Sequence, residues 1–266
     1  MEAPQLSVTV SRLSVAPVKS MRLHHPEEIA LEPFGVASNR RFYLIDDHGD
    51  LINATDHGPL LAIDPDYDAA DERLALRFPD GEVVEGPAAA LGEPVRTDFY
   101  GRPVNGNVLE GPWAEAVSAY AGLPLRLVRT ARPGDGSDSA TVSIASTASA
   151  RELARASGSD RALDSRRFRM LLEVDGCGPH EEDSWIGRRV RVGGAVLEVT
   201  RPVARCVITT LHPDTGRKDL DTLKVITDYR GLRDGRKIDF GVYGDVVEPG
   251  TVRVGDPVTP LPSPPA

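Results

Sequence analysis

Through its first hundred residues the chain keeps changing phase, and this limits the folds open to it. Leu6, Val8 and Val10 alternate with polar neighbours, and Leu13 with Val15 continues the pattern after one shift of phase. Ile29 and Leu31 alternate too. Phe42–Ile45, a polar Asp46–Asp50 turn and Leu51-Ile52 read as a hairpin. Leu74, Leu76 and Phe78, then Pro79-Asp80-Gly81, then Val83-Val84 read as a second, because Asp-Gly is a strong turn signal. No helix of ordinary length fits before residue 111. Short strands at this spacing predict a small antiparallel barrel or sandwich. The 22 prolines and 25 glycines in 266 residues suit many short strands joined by turns.

The second half mixes both element types. Helices are predicted over 111–122, ending at Gly122, over 149–157, with Ser149 and Glu152 as a capping box, and over 220–230, ending at Gly231. Met170-Leu171-Leu172 with Val174 reads as a buried strand. Val190/Val192 and Val196/Val199 flank Gly193-Gly194 as a hairpin, and Val246-Val247 and Val252/Val254 close the chain as strands. Residues 131–140 read as a polar loop. The division expected is a β subdomain at 1–104, a helix and connection at 105–135, a second domain at 136–260 and a disordered tail at 261–266. No internal repeat is present.

Lys and Arg number 31 against 40 Asp and Glu, a formal net charge of −9. Nucleic acid is not an expected partner, because phosphate affinity scales with cationic contacts. An anion site must then be a local basic pocket in an acidic protein. No apolar run is long enough for a membrane span, and the first twenty residues lack the continuous apolar stretch of a secretory signal. A cytoplasmic location is expected. Two cysteines, Cys177 and Cys206, are too few for a disulfide framework or a zinc ribbon.

The sequence has no P-loop, nucleophile elbow or HExxH motif, and the dinucleotide-like Gly176-Cys177-Gly178 has Glu181 where a third glycine belongs. His24 and His25 are adjacent and on a strand would face opposite ways. His180-Glu181-Glu182-Asp183 reads as a solvated acidic loop rather than a metal cluster. Three segments carry more chemistry. Pro17-Val18-Lys19-Ser20 delivers an ammonium and a hydroxyl together after a proline-set turn. Asn39-Arg40-Arg41-Phe42 opens a strand with two arginines on opposite faces, one of which can turn toward a buried anion. Cys206 follows Arg205 and lies near Arg201, so a thiolate there has electrostatic support.

These segments occur in one order with Glu182-Asp183-Ser184-Trp185, Thr209-Thr210, Pro213-Asp214-Thr215-Gly216 and Phe240-Gly241-Val242-Tyr243. In that order the chain resembles the MOSC proteins with an N-terminal MOSC β-barrel, and among them the mitochondrial amidoxime-reducing component and its bacterial relatives. The resemblance covers residues 6–258. It implies a mainly β fold with some α, an N-terminal antiparallel β subdomain packed on a MOSC β-barrel. It implies the molybdenum cofactor, Mo-molybdopterin, with Cys206 as protein ligand to the metal. Lys19, Ser20 and Arg41 would hold its phosphate and pterin, joined by Ser146, Thr147, Arg169, Ala204, Arg205 and Tyr243. Two departures stand out. The family commonly has Arg-Pro-Asn where this chain has Arg169-Met170-Leu171, and a hairpin arginine of the family is replaced within Thr55-Asp56-His57-Gly58.

The reaction implied is reduction of small N-hydroxylated substrates, with Asp214 or His212 as proton donor. Electrons would come from a separate donor protein, since no flavin or haem motif is present and two cysteines cannot ligate an iron–sulfur cluster. A cofactor carrier, or a sulfur carrier using Cys206 as a persulfide, is the alternative.

Overall fold

The computed structural model describes residues 7–158 and 163–262. Strands β1 (Thr9–Leu13) and β2 (Glu28–Leu31) precede β3 (Phe42–Ile45), β4 (Leu51–Ile52), β5 (Asp64–Asp68), β6 (Arg73–Arg77), β7 (Val83–Pro87), β8 (Leu91–Phe99) and β9 (Arg102–Leu109). Helix α1 (Trp113–Ala121) follows, then β10 (Arg126–Thr130), β11 (Val142–Ser146), α2 (Thr147–Ala156) and β12 (Leu172–Asp175). The chain continues through β13 (Arg189–Val192), β14 (Ala195–Ala204), α3 (Thr222–Arg230), β15 (Asp239–Glu248), β16 (Gly250–Arg253) and β17 (Val258–Pro260). The protein is mostly β, as expected. No described helix is long and apolar enough to cross a membrane.

One half is built on a five-stranded sheet, order β4-β3-β10-β9-β8, and the three-stranded meander β5-β6-β7. Its core gathers Phe42, Leu44, Leu60, Leu74, Leu76, Leu127 and Trp113 from α1. Each such large apolar side chain taken out of water contributes about 1.5–3 kcal/mol. The Trp113 indole also donates to the Leu74 carbonyl at 3.1 Å, so the buried polar end of the ring is satisfied. The other half is a seven-stranded sheet, order β1-β12-β11-β15-β14-β13-β17. It curls until its edges meet. Thr9 bridges to Pro257, and the Val258 amide donates to the Val8 carbonyl at 2.8 Å. Val10, Leu13, Ile144, Leu172, Trp185, Val190, Leu197 and Val242 fill this barrel.

The two halves interleave along the sequence. Strand β1 pairs with β12 and β2 with β16, so residues near the start of the chain complete the second barrel. Conversely β10, from the segment read as a connection, pairs with β3 and β9 in the first sheet. Between them, residues 14–24 and 131–141 cross from one half to the other.

The hairpins β3–β4, β6–β7 and β13–β14 form where turn chemistry placed them. Helix α2 starts earlier than predicted. Ser146 is its cap, its hydroxyl accepting from the Ser149 amide at 3.0 Å, while Ser149 lies inside the helix. The acidic turn 180–183 is also corrected, because Glu182 is fully buried. Its carboxylate accepts from the Ser149 hydroxyl at 2.8 Å and the Ser146 amide at 3.2 Å, tying α2 to the barrel. Burial pushes its pKa up. Of the tail expected at 261–266, residues 263–266 lie outside the described residues, and the Leu261 amide donates to Arg189 at 2.8 Å.

Candidate functional site

An open cleft lies where the halves meet. It is assembled from crossing segments rather than from strand faces. After β1, the Pro17 turn carries Lys19 and Ser20. Lys19 is anchored by its amide donating to the Phe42 carbonyl at 2.8 Å, and Ser20 adopts a left-handed φ of 69°. From the other half come Arg169, after a 3-10 turn, and Ala204-Arg205-Cys206 at the end of β14, with Tyr243 beside them on β15.

Glycine permits two close approaches between the halves. Gly136 lies so close to the carbonyl of Arg40, and Gly216 to that of Gly58, that a Cβ at either would run into the oxygen. The loop at 131–140 is therefore packed against the N-terminal half, and Arg102 ties it down by donating to the carbonyls of Asp135 (2.9 Å) and Ser137 (2.5 Å). This loop carries Asp138 into the cleft.

Lys19 donates to Asp138, and Arg40 donates to the other oxygen of the same carboxylate at 2.7 Å. Burial lowers the Lys19 pKa to about 8 despite Asp138. Arg40 and Lys19 hold the Asp138 carboxyl well below the usual carboxylate range, against the opposing effect of burial. Arg169 donates to the Met21 carbonyl at 2.7 Å, and burial, with the charge of Arg40, lowers its pKa to about 9. Arg205 donates to the carbonyls of Phe240 (2.8 Å) and Phe168 (3.0 Å) and to the Met170 sulfur (2.6 Å). It lies 5.2 Å from the Phe168 ring centroid, and burial lowers its pKa to about 10. Four cations thus face one cleft, and Asp138 is the carboxylate partner of two of them, Lys19 and Arg40.

Of the residues singled out from sequence, Lys19, Ser20, Arg169, Ala204, Arg205, Cys206 and Tyr243 line this cleft together. Arg41 does not. Its guanidinium donates to the Thr130 carbonyl and, at 2.7 Å, to the Thr130 hydroxyl inside the N-terminal half. The two arginines do point apart, and Arg40 faces the cleft. Ser146 and Thr147 are also elsewhere, held by Ser149 and Asp175, while Thr141 and the first β11 residues, Val142 and Ser143, reach the cleft instead. Asp214 does not line it either. Arg166 grips both its oxygens at 2.9 and 2.7 Å and holds its carboxyl below the usual range. His212 accepts from the Asp214 amide at 3.2 Å in the same turn.

Cys206 is exposed and starts the 3-10 turn Val207–Thr210. Cys177 differs: it is half-buried beside the barrel core, and burial together with Glu182 and Glu181 pushes its thiol up to about 11. Both thiols are free. Met170 and Leu171 have clear roles. Met170 gives its sulfur to Arg205, and the Leu171 amide donates to the Ser143 hydroxyl at 3.0 Å. Thr55, in the segment that departs from the family, lines the cleft. Among the described residues no three His, Cys, Asp or Glu gather as a metal site. His24 instead bonds Asp64 at 2.9 Å, while His25 lies 3.1 Å from the Leu13 carbonyl. Arg40, Asp138 and Tyr100 are among the lining residues that the sequence reading did not assign to the site.

Two family models match the two halves: the MOSC N-terminal beta barrel domain over residues 7–107 and the MOSC domain over 131–259. The chain belongs to the MOSC family. The human protein named mitochondrial amidoxime-reducing component 1 is 26% identical over 94% of this MOSC protein and 82% of its own length. The mouse protein of that name is 37% identical over 37% of this chain, an alignment spanning 31% of the mouse protein. A molybdenum cofactor sulfurase of Anopheles gambiae is 27% identical over 80% of this chain and 31% of its own length.

Proposed function

We propose that this MOSC protein binds the molybdenum cofactor in the interdomain cleft and reduces N-hydroxylated compounds there. The observation that carries the reading is the exposed Cys206 thiol at a cleft lined by Lys19, Arg40, Arg169 and Arg205 in a protein of net charge −9. That donor set fits the group. A thiolate is a soft ligand suited to a sulfur-rich metal centre. The buried cations suit an anionic phosphate, and arginine offers a planar fork to its oxygens. Lys19, Ser20 and Arg40 would bind from one half; Arg169, the Ala204 and Arg205 segment and Tyr243 would bind from the other. When bound, the cofactor supplies the two-electron oxygen-removing chemistry.

The chain's own residues orient and shield. The Phe168–Phe240 stack, with ring centroids 4.0 Å apart, seats Arg205 beside the thiol. Two electrons and two protons convert an N-hydroxyl to N–H and water, and the protons enter from solvent on the side where Cys206 is exposed. The electrons come from a separate protein. Molybdenum content of the purified chain and reduction of benzamidoxime with a chemical reductant test this reading. NADH alone should give no turnover.

A second reading rests on the likeness to the sulfurase: Cys206 would carry sulfur as a persulfide. Cyanolysable sulfur on Cys206 without stoichiometric molybdenum would favour it over reduction.

A further inference from the structure

The hairpin between β8 and β9 ends in a two-residue turn, Tyr100-Gly101, closed by the pair Phe99 and Arg102. Both turn residues have positive φ, 56° and 90°. Such a turn favours Asn, Asp or Gly at its first position, because a side chain with a bulky Cβ substituent is strained in the left-handed region. Tyrosine is a poor choice for the turn. It gains nothing by packing either, since the residue is 68% exposed whereas its neighbour Phe99 is buried. Neither local propensity nor the core explains Tyr100.

Its position does. Tyr100 lines the cleft from the N-terminal half, and the Lys19 ammonium lies 5.9 Å from its ring centroid and 5.3 Å from that of Phe99. Lys19 is buried, so the exposed ring stands at the mouth above it. From the other half, Cys206 and Ile208 border the same opening. A molecule reaching the thiol passes the aromatic face of Tyr100 on one side and the aliphatic Ile208 on the other. Strain retained at a cleft residue points to a role in that cleft.

We infer that Tyr100 is a specificity-determining residue, a stacking lip that selects substrates bearing a flat aryl group next to the reacting nitrogen. The inference rests on the reductase reading for the reacting group and adds the class of substituent. The Tyr100 hydroxyl takes no part; the ring face does.

The test uses two amidoximes with the same reacting group, benzamidoxime and acetamidoxime, on the molybdenum-loaded protein with a chemical reductant. Tyr100→Ala should raise KM for benzamidoxime about 3–10-fold, the range expected of one lost aromatic stack, and leave kcat in place. KM for acetamidoxime should stay within about twofold, and Tyr100→Phe should restore the preference. Tyr100→Asn should share the KM defect yet melt about 2–4 °C higher in the cofactor-free protein, because the turn is relieved. Saturation transfer from cofactor-free protein to the benzamidoxime ring gives a readout independent of turnover, and Tyr100→Ala should weaken it. An unchanged KM ratio and unchanged saturation transfer in Tyr100→Ala would overturn the inference. So would a lower melting point in Tyr100→Asn, which would make the ring a structural prop. If the loaded parent reduces neither amidoxime while saturation transfer still depends on Tyr100, the reductase reading fails and the aryl lip stands.

Discussion

The two walls of the cleft hold their positive charge in different ways. On the N-terminal wall, Lys19 and Arg40 share one carboxylate, Asp138, which cancels half of their charge. On the C-terminal wall, Arg169 and Arg205 donate to backbone carbonyls and a thioether, which orient them without cancelling their charge. Carbonyl partners make a fixed positive surface. A carboxylate partner makes one that an incoming anion can unmask by displacing it. Asp138 sits on a crossing loop rather than a strand, so the compensated wall is also the one whose partner lies outside the sheets.

Cys206 belongs to the fixed wall and supplies the largest expected effect. Cys206→Ala should reduce turnover of benzamidoxime to background and abolish molybdenum retention with no change in melting temperature, since the side chain is exposed. Cys177→Ala should keep activity and cost at most about 1 kcal/mol. Metal analysis and thermal melts of both variants decide it. Full activity in Cys206→Ala would remove the thiol from the mechanism.

Lys19 tests the compensated wall by pH. Folding lowers its pKa from 10.5 to about 8, so the unfolded chain binds the proton more tightly. Below pH 8 the amine is charged in both states and the cost of burying it is fully present. That cost fades as pH rises through 8 toward 10.5, so stability increases with pH in this window. Relative to Lys19→Met, the parent should gain about 3 kcal/mol across it. Urea melts of both proteins near pH 7.5 and 10.5 give the number. A constant difference would mean that Asp138 compensates Lys19 completely.

Arg205 sharpens the contrast, because burial leaves its pKa at about 10. Arg205→Ala should cost about 2 kcal/mol through lost charge-assisted hydrogen bonds and ring packing. That cost should stay flat between pH 6 and 9, where Arg205 is protonated, and molybdenum retention should fall with it. A loss of stability that tracked pH in this range would show that the two walls are not independent.

Much of this was readable before the fold. Alternation located most strands, and Gly122 and Gly231 marked helix ends because each takes a positive φ that stops the helix there. Pairing partners were not readable. Nothing local to residues 9–13 says that they close a barrel with residues 255–258. In the site, the Lys19, Ser20 and Cys206 segments stood out as types and spacings. The choice between Arg40 and Arg41 did not, because alternation sends neighbours to opposite faces without saying which face meets the cleft. Asp138 was hidden in a loop whose composition looked merely polar, and its role depends on cations about a hundred residues earlier in the chain. The burial of Glu182 was hidden likewise, since the Ser146 and Ser149 groups that satisfy it belong to another segment.

Asp214 gives the smallest effect and tests what lies just outside the walls. From the Pro-Asp-Thr-Gly turn alone it reads as an acid near the mouth. In the fold its carboxylate is clasped by Arg166, which also holds Asp164, and both partners are about one-third exposed. Ion pairs so open to solvent are worth about 0–1 kcal/mol. Asp214→Asn should therefore cost no more than that in urea melts and leave the pH profile of benzamidoxime turnover unchanged. A structural pair and a proton donor part company in the profile. Loss of the acidic protonation limb from kcat in Asp214→Asn would return this carboxyl to the chemistry and require the turn to move toward the cleft during turnover. An unshifted profile leaves the proton supply with solvent reaching Cys206, and confines the charged machinery to the two walls.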